Sequence, residues 1–161
     1  MKLKYTKRIE KKITPRIEAR ILEVFEYFPE FDDQEITIGA IEGRKYGTAE
    51  IGGNKINLRV GRIHPYKQTI AHELVHLLQD RKGYDVPQGE RPCDLWVCAR
   101  SPDLLDDKPN YLDLPITKSD LENGFTRKLI HQTAKKALKE REKGNRRYIK
   151  WFEDEIKQIL G

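Results

Sequence analysis

Ile17, Ile21, Val24, Phe25 and Phe28 recur at the three- and four-residue spacing that lines one face of a helix. Thr14 and Pro15 stand ahead of them as a cap residue and a proline at the first helical position, and Pro29 ends the pattern. The period then changes. Glu35–Ile41 and Gly47–Ile51 read as strands, parted by the turn-forming Glu42-Gly43-Arg44. Gly52-Gly53-Asn54 is a hairpin signal, and Lys55–Val60 alternates polar and apolar with a period of two. Three strands in a meander follow from this order. The last of them is expected at a sheet edge, where an extended peptide could add by main-chain hydrogen bonds. Residues 1–13, with sparse apolar positions at Leu3, Tyr5, Ile9 and Ile13, fit an edge strand or a short helix.

From about Pro65 to Lys82 the helical period returns, ended by Gly83. Ile70, Leu74, Leu77 and Leu78 form a buried stripe that Ala71 and Val75 widen, so this helix is nearly enclosed. After a loop at residues 83–89, Glu90–Arg100 reads as another helix, with Pro92 tolerable because it lies in the first turn. Ser119-Asp120-Leu121-Glu122 is a capping-box sequence opening a helix on Leu121, Phe125, Leu129, Ala134, Ala137 and Leu138 that breaks near Gly144. A last amphipathic helix carries Tyr148, Trp151, Phe152, Ile156 and Ile159. The expectation is one α+β domain over residues 1–161. Its core spans about 14–115, with a small, mostly antiparallel sheet of three to four strands, and a helical hairpin occupies about 117–160.

Charge adds a second feature. Residues 1–20 hold eight Lys/Arg against two Glu (+6), and residues 127–150 hold ten against two (+8). Residues 21–126 hold twelve against nineteen (−7), so basic ends flank an acidic middle. Such runs are commonly solvated helix faces, and they also suit contact with nucleic acid or another polyanion. Aromatics among Arg146, Arg147 and Lys150 could stack on bases or pack in a core. Cys93 and Cys98 are too few for a disulfide framework. The first residues lack the apolar run of a signal peptide, which makes the cytoplasm the expected compartment.

The polar exceptions in the enclosed helix are His72, Glu73 and His76. Residues four apart share a helix face, so both imidazoles can aim at one zinc ion. Glu73 lies about 100° around the axis from His72, where it can address water at that metal as general base. Two ordinary core histidines satisfied by backbone carbonyls are the alternative. Zinc needs a third protein ligand, sought among Asp85, Glu90, Cys93 and Asp94. Glu90 and Asp94 share a face four residues apart: Glu90 could reach the metal, and Asp94 could accept the far ring N–H of a liganding histidine. Cys93 is the rival donor, because soft sulfur suits zinc. Solvated acids at a helix start are the plainer account of Glu90 and Asp94.

His72-Glu73-Leu74-Val75-His76 resembles the zincin metallopeptidase signature. Thr69 stands three before the first histidine, positions 70, 74, 75 and 77 are uncharged, and Leu78 is apolar. Glu90-x-x-x-Asp94 is similar to the third-ligand helix of the gluzincins, the thermolysin-like branch. The metzincin form fails, since Asp80 and Gly83 stand where a Gly and a His are required. The resemblance covers residues 35–100 and leaves 101–161 unassigned. The short span between His76 and Glu90 is like that of minimal single-domain gluzincins. The resemblance implies a zinc peptidase with His72, His76 and Glu90 on the metal, Glu73 as base and Asp94 behind a histidine. It also implies a Tyr or His that steadies the oxyanion. Tyr84, Tyr111 and His131 are the candidates, with Tyr111 preferred because residues 109–115 form a proline-bounded extended segment that could cross a cleft. Two alternatives stay open: a nucleic-acid-associated SprT-like protease targeted by its basic ends, and a non-catalytic nucleic-acid-binding protein stapled by zinc.

Overall fold

Residues 1–13 supply both of the elements their pattern allowed: strand β1 (Lys2–Tyr5) and a single helical turn, α1 (Lys7–Glu10). The computed structural model describes residues 1–161 and divides into two units, Met1–Asp85 and Val86–Gly161. The architecture is α+β, as the periodicities indicate.

In the first unit, helix α2 (Pro15–Phe25) starts as its sequence dictates. The Thr14 hydroxyl accepts from the Ile17 backbone N–H at 3.3 Å, and Pro15 occupies the first turn. Its buried face is Ile17, Ile21, Val24 and Phe25. Phe31 then packs against both Phe25 and Phe28, with ring centroids 6.2 Å apart in each pair, contacts worth more than their buried area alone.

The sheet contains β1, β2 (Glu35–Ala40), β3 (Gly47–Glu50) and β4 (Lys55–Leu58), in the order β1-β2-β4-β3. It is mixed rather than mostly antiparallel. β1 and β4 run parallel to β2, and only the β3–β4 hairpin is antiparallel. Strand β4 therefore lies inside the sheet, and the edge expected at residues 55–60 belongs to β3 instead. Burial explains the exchange. Ile36, Ile38, Ile56 and Leu58 are all fully buried, each such side chain contributing roughly 1.5–3 kcal/mol. Strand β3 buries none of its four residues, so the polar strand takes the edge and the apolar one the centre. Helix α3 (Lys67–Gln79) packs against β3, β4 and α2, which encloses it from two sides.

The second unit is helical: α4 (Glu90–Arg100), α5 (Gly124–Glu142) and α6 (Tyr148–Leu160) pack pairwise around Leu95, Cys98, Ile130, Ala134, Phe152 and Ile156. The helical hairpin forms, with Gly144 at its turn in the left-handed region at φ +95°. The capping box does not start α5. The Asp120 carboxylate accepts the Thr117 N–H and hydroxyl, tying residues 119–122 into a short 3-10 turn. Asn123 caps the helix instead, its side chain accepting from the Phe125 N–H at 2.9 Å. Phe125, expected in the core, is 68% exposed. Tyr148 and Phe152 are buried, which settles their spacing as core packing rather than a base-stacking platform. No helix is long and apolar enough to cross a membrane.

Candidate metal centre

The α3 sequence sorts its side chains by face. Ile70, Leu74, Leu77 and Leu78 fill the core, and Glu73 and both histidines stand on the rest of the circumference. His72 and Glu73 are nonetheless buried, at 7% and 6% exposed. Buried polar groups of this kind need partners, because each costs several kcal/mol without one.

The two imidazoles meet edge to face, with ring centroids 4.7 Å apart. His72 Nε2 and His76 Nε2 lie 3.1 Å from each other. His76 Nδ1–H donates to the Gln79 side-chain oxygen at 2.8 Å. An amide oxygen only accepts, so this contact puts the His76 proton on Nδ1 and leaves a lone pair on Nε2. Facing it at 3.1 Å, His72 either donates its own Nε2–H or shares a cation between two lone pairs. Two nitrogens bound to one tetrahedral zinc at about 2.0–2.1 Å stand roughly 3.3 Å apart, close to the observed separation. The pair therefore fits a metal ion as built.

Glu73 is held from the sheet side. A Cβ placed on Gly47, the first residue of β3, would lie 2.7 Å from Glu73 Oε1, 2.8 Å from its Cγ and 3.0 Å from its Cδ. The carboxylate thus rests against bare backbone of the edge strand. Next to it in sequence, Tyr46 stacks on His64 at 4.7 Å between centroids, and His64 meets Tyr66, the residue capping α3, at 4.8 Å.

In the second unit, Glu90 is the exposed first residue of α4, and Cys93 and Asp94 one turn on are fully buried. Asp94 accepts the Tyr111 backbone N–H at 2.8 Å, while the Tyr111 side chain is half exposed. Burial pushes the Cys98 thiol well up, and the neighbouring Asp94 carboxylate adds to the effect, so Cys98 stays protonated. His131, another candidate for the oxyanion, is half-buried, and its Nδ1 bonds the Cys98 carbonyl at 2.9 Å. Tyr84, the third candidate for the oxyanion, is 40% exposed near the end of the first unit.

Two residues of the site escape a reading of motifs. Gln79 is three positions beyond His76 and so on its face, a spacing that carries the signal. Gly47 shows itself only as a glycine inside a strand, which marks close approach without saying of what. Compared with protein-family models, with curated proteins and with solved structures, the chain matches none.

Proposed function

We propose that the protein is a zinc-dependent peptidase in which His72 and His76 share the metal. The observation supporting this most directly is the 3.1 Å approach of the two Nε2 atoms, with a third polar residue, Glu73, on the same helix. The remaining protein donor is Glu90 or Cys93, the two candidates of the sequence. Soft sulfur suits zinc, whereas Glu90 is exposed at the start of α4. When bound, zinc would lower the pKa of a water to about 7.

The chain's own residues account for the rest. Glu73 takes a proton from the attacking water and returns it to the leaving amine, the two halves of general base and acid work. Gln79 holds His76 in the tautomer that presents Nε2. The exposed edge of β3 begins at Gly47, beside the Glu73 carboxylate, and an extended peptide added there would bring a carbonyl to that group.

Metal analysis of natively purified protein, with casein hydrolysis before and after Glu73→Gln, tests the reading. One zinc per chain with hydrolysis abolished by the substitution is the expected result. A protein that purifies without metal and takes up none would overturn it. Cys93→Ser and Glu90→Gln, compared for zinc affinity, separate the two candidate donors. Loss in the first alone supports the sulfur.

A further inference from the structure

The turn joining α5 to α6 shapes a cavity of about 390 Å³ lined by Arg91, Arg146, Arg147, Tyr148, Ile149 and Lys150. Four of these six residues are cations and none is an acid. We propose that this cavity, which no step of the peptidase reading uses, is a binding site for phosphate groups.

The cations are set in place by the fold. Arg91 donates to Glu153 Oε1 at 2.7 Å, and that carboxylate is almost fully buried, with 3% of its side chain exposed. The same Glu153 oxygen accepts the Asp113 backbone N–H at 2.9 Å, which fixes it further. Arg146 and Arg147 ride on a turn held by Gly144 in its left-handed conformation and by the Asn145 side chain, which accepts the Arg147 N–H at 2.9 Å. Neither guanidinium meets an acidic partner, whereas Lys150 is paired with Asp154 at 2.5 Å. Two unpaired arginines beside an anchored third give planar donors in the geometry that phosphate oxygens accept. The first turn of α6 contains no acidic residue that would compete for them. The space exceeds the roughly 30 Å³ of a water molecule many times over, enough for a phosphate group and the atoms it is attached to.

The chemistry recognised is the phosphate ester, which a nucleic-acid backbone and a free phosphorylated small molecule both present. The test uses the full chain, a fluorescein-labelled oligothymidylate of about 12 nucleotides and inorganic phosphate, with binding read by anisotropy and by calorimetry. The variants are Arg146→Ala/Arg147→Ala and, as a control that removes equal charge from α5, Lys135→Ala/Lys136→Ala. The pocket variant is expected to weaken oligonucleotide binding about tenfold and to flatten the salt slope by roughly 1.4, while the control changes little. Inorganic phosphate that displaces the oligonucleotide, or that binds alone and is lost in the pocket variant, identifies a free phosphorylated ligand. Oligonucleotide binding that phosphate does not displace identifies a strand. Equal losses in the two double variants would reduce the effect to general basicity and overturn the site. So would failure of both probes to bind the unaltered protein. None of these outcomes depends on zinc or on Glu73.

Discussion

Gly47 and Glu73 are close neighbours: a Cβ added to this edge-strand glycine would lie 2.7 Å from Glu73 Oε1, inside the carboxylate. The Gly47 backbone is not in the left-handed region, so an alanine there suffers no conformational strain of its own. The three atoms nearest to that added carbon all belong to Glu73. Gly47→Ala should displace the carboxylate by roughly 1 Å, a misplacement that costs a catalytic group on the order of a hundredfold in rate. The loss should appear in kcat with KM and zinc content unchanged. Steady-state kinetics on a peptide substrate checks it, and full activity in the alanine variant would remove Gly47 from the site.

Gln79 makes a separate prediction, because it touches a histidine rather than the reacting atoms. Gln79→Ala removes the acceptor that fixes the His76 tautomer. Partners behind metal-binding histidines are typically worth 10–100-fold in affinity. Competition against a chromophoric chelator should show a loss in that range, and Gln79→Glu, which keeps an acceptor, should restore most of it. Unchanged affinity in both variants would mean that the hydrogen bond only packs the helix end.

The helical period made α2 and α3 legible, including the face that α3 turns to the core, because Ile17, Ile21, Ile70 and Leu74 keep strict spacing. The convergence of His72 and His76 follows from four-residue spacing alone. The order of the strands was not legible. Periodicity marks β2, β3 and β4 as strands but says nothing of which neighbour each selects. That choice came from burying Ile56 and Leu58 between strands rather than at an edge. The start of α5 departs from its sequence signal for a related reason. Ser119 and Asp120 match a cap in sequence, yet Thr117 takes the Asp120 carboxylate first, and local side-chain bonds of this kind compete with helix starts. Gly47 against Glu73 joins residues far apart in sequence, and no local pattern reports such a contact.

Three surface carboxylates of the first unit predict how it responds to acid. Hydrogen bonding from Lys4 holds Glu35 below its usual range, that from Arg8 and Lys12 holds Glu42 down, and that from Lys55 holds Glu50 down. A lowered folded pKa means that the unfolded chain binds more protons across that window. The stabilisation is therefore complete above the unfolded value of 4.5 and is lost as pH falls through the lower folded values. Urea midpoints should drop between pH 6 and pH 3. The drop should be smaller in 1 M salt, which screens exposed pairs to about 3 Å. It should also be smaller in the triple variant Glu35→Gln/Glu42→Gln/Glu50→Gln. A triple variant as acid-sensitive as the parent would place the dependence elsewhere.

Metal removal combined with Glu73→Gln separates a catalytic ion from one that only staples the fold. A ligand that binds the native state alone stabilises it by about 2.7 kcal/mol when present at a hundred times its dissociation constant. Adding a chelator at pH 7 should accordingly lower the melting temperature by several degrees. Acidification should act in the same sense, since imidazole must be neutral to ligate. Glu73→Gln leaves both histidines and Gln79 in place, so it should keep the chelator-sensitive melting shift while hydrolysis disappears. A variant that keeps the shift and keeps hydrolysing would demote Glu73 to a packing residue. A parent protein whose melting temperature ignores the chelator would take the metal away from His72 and His76 altogether.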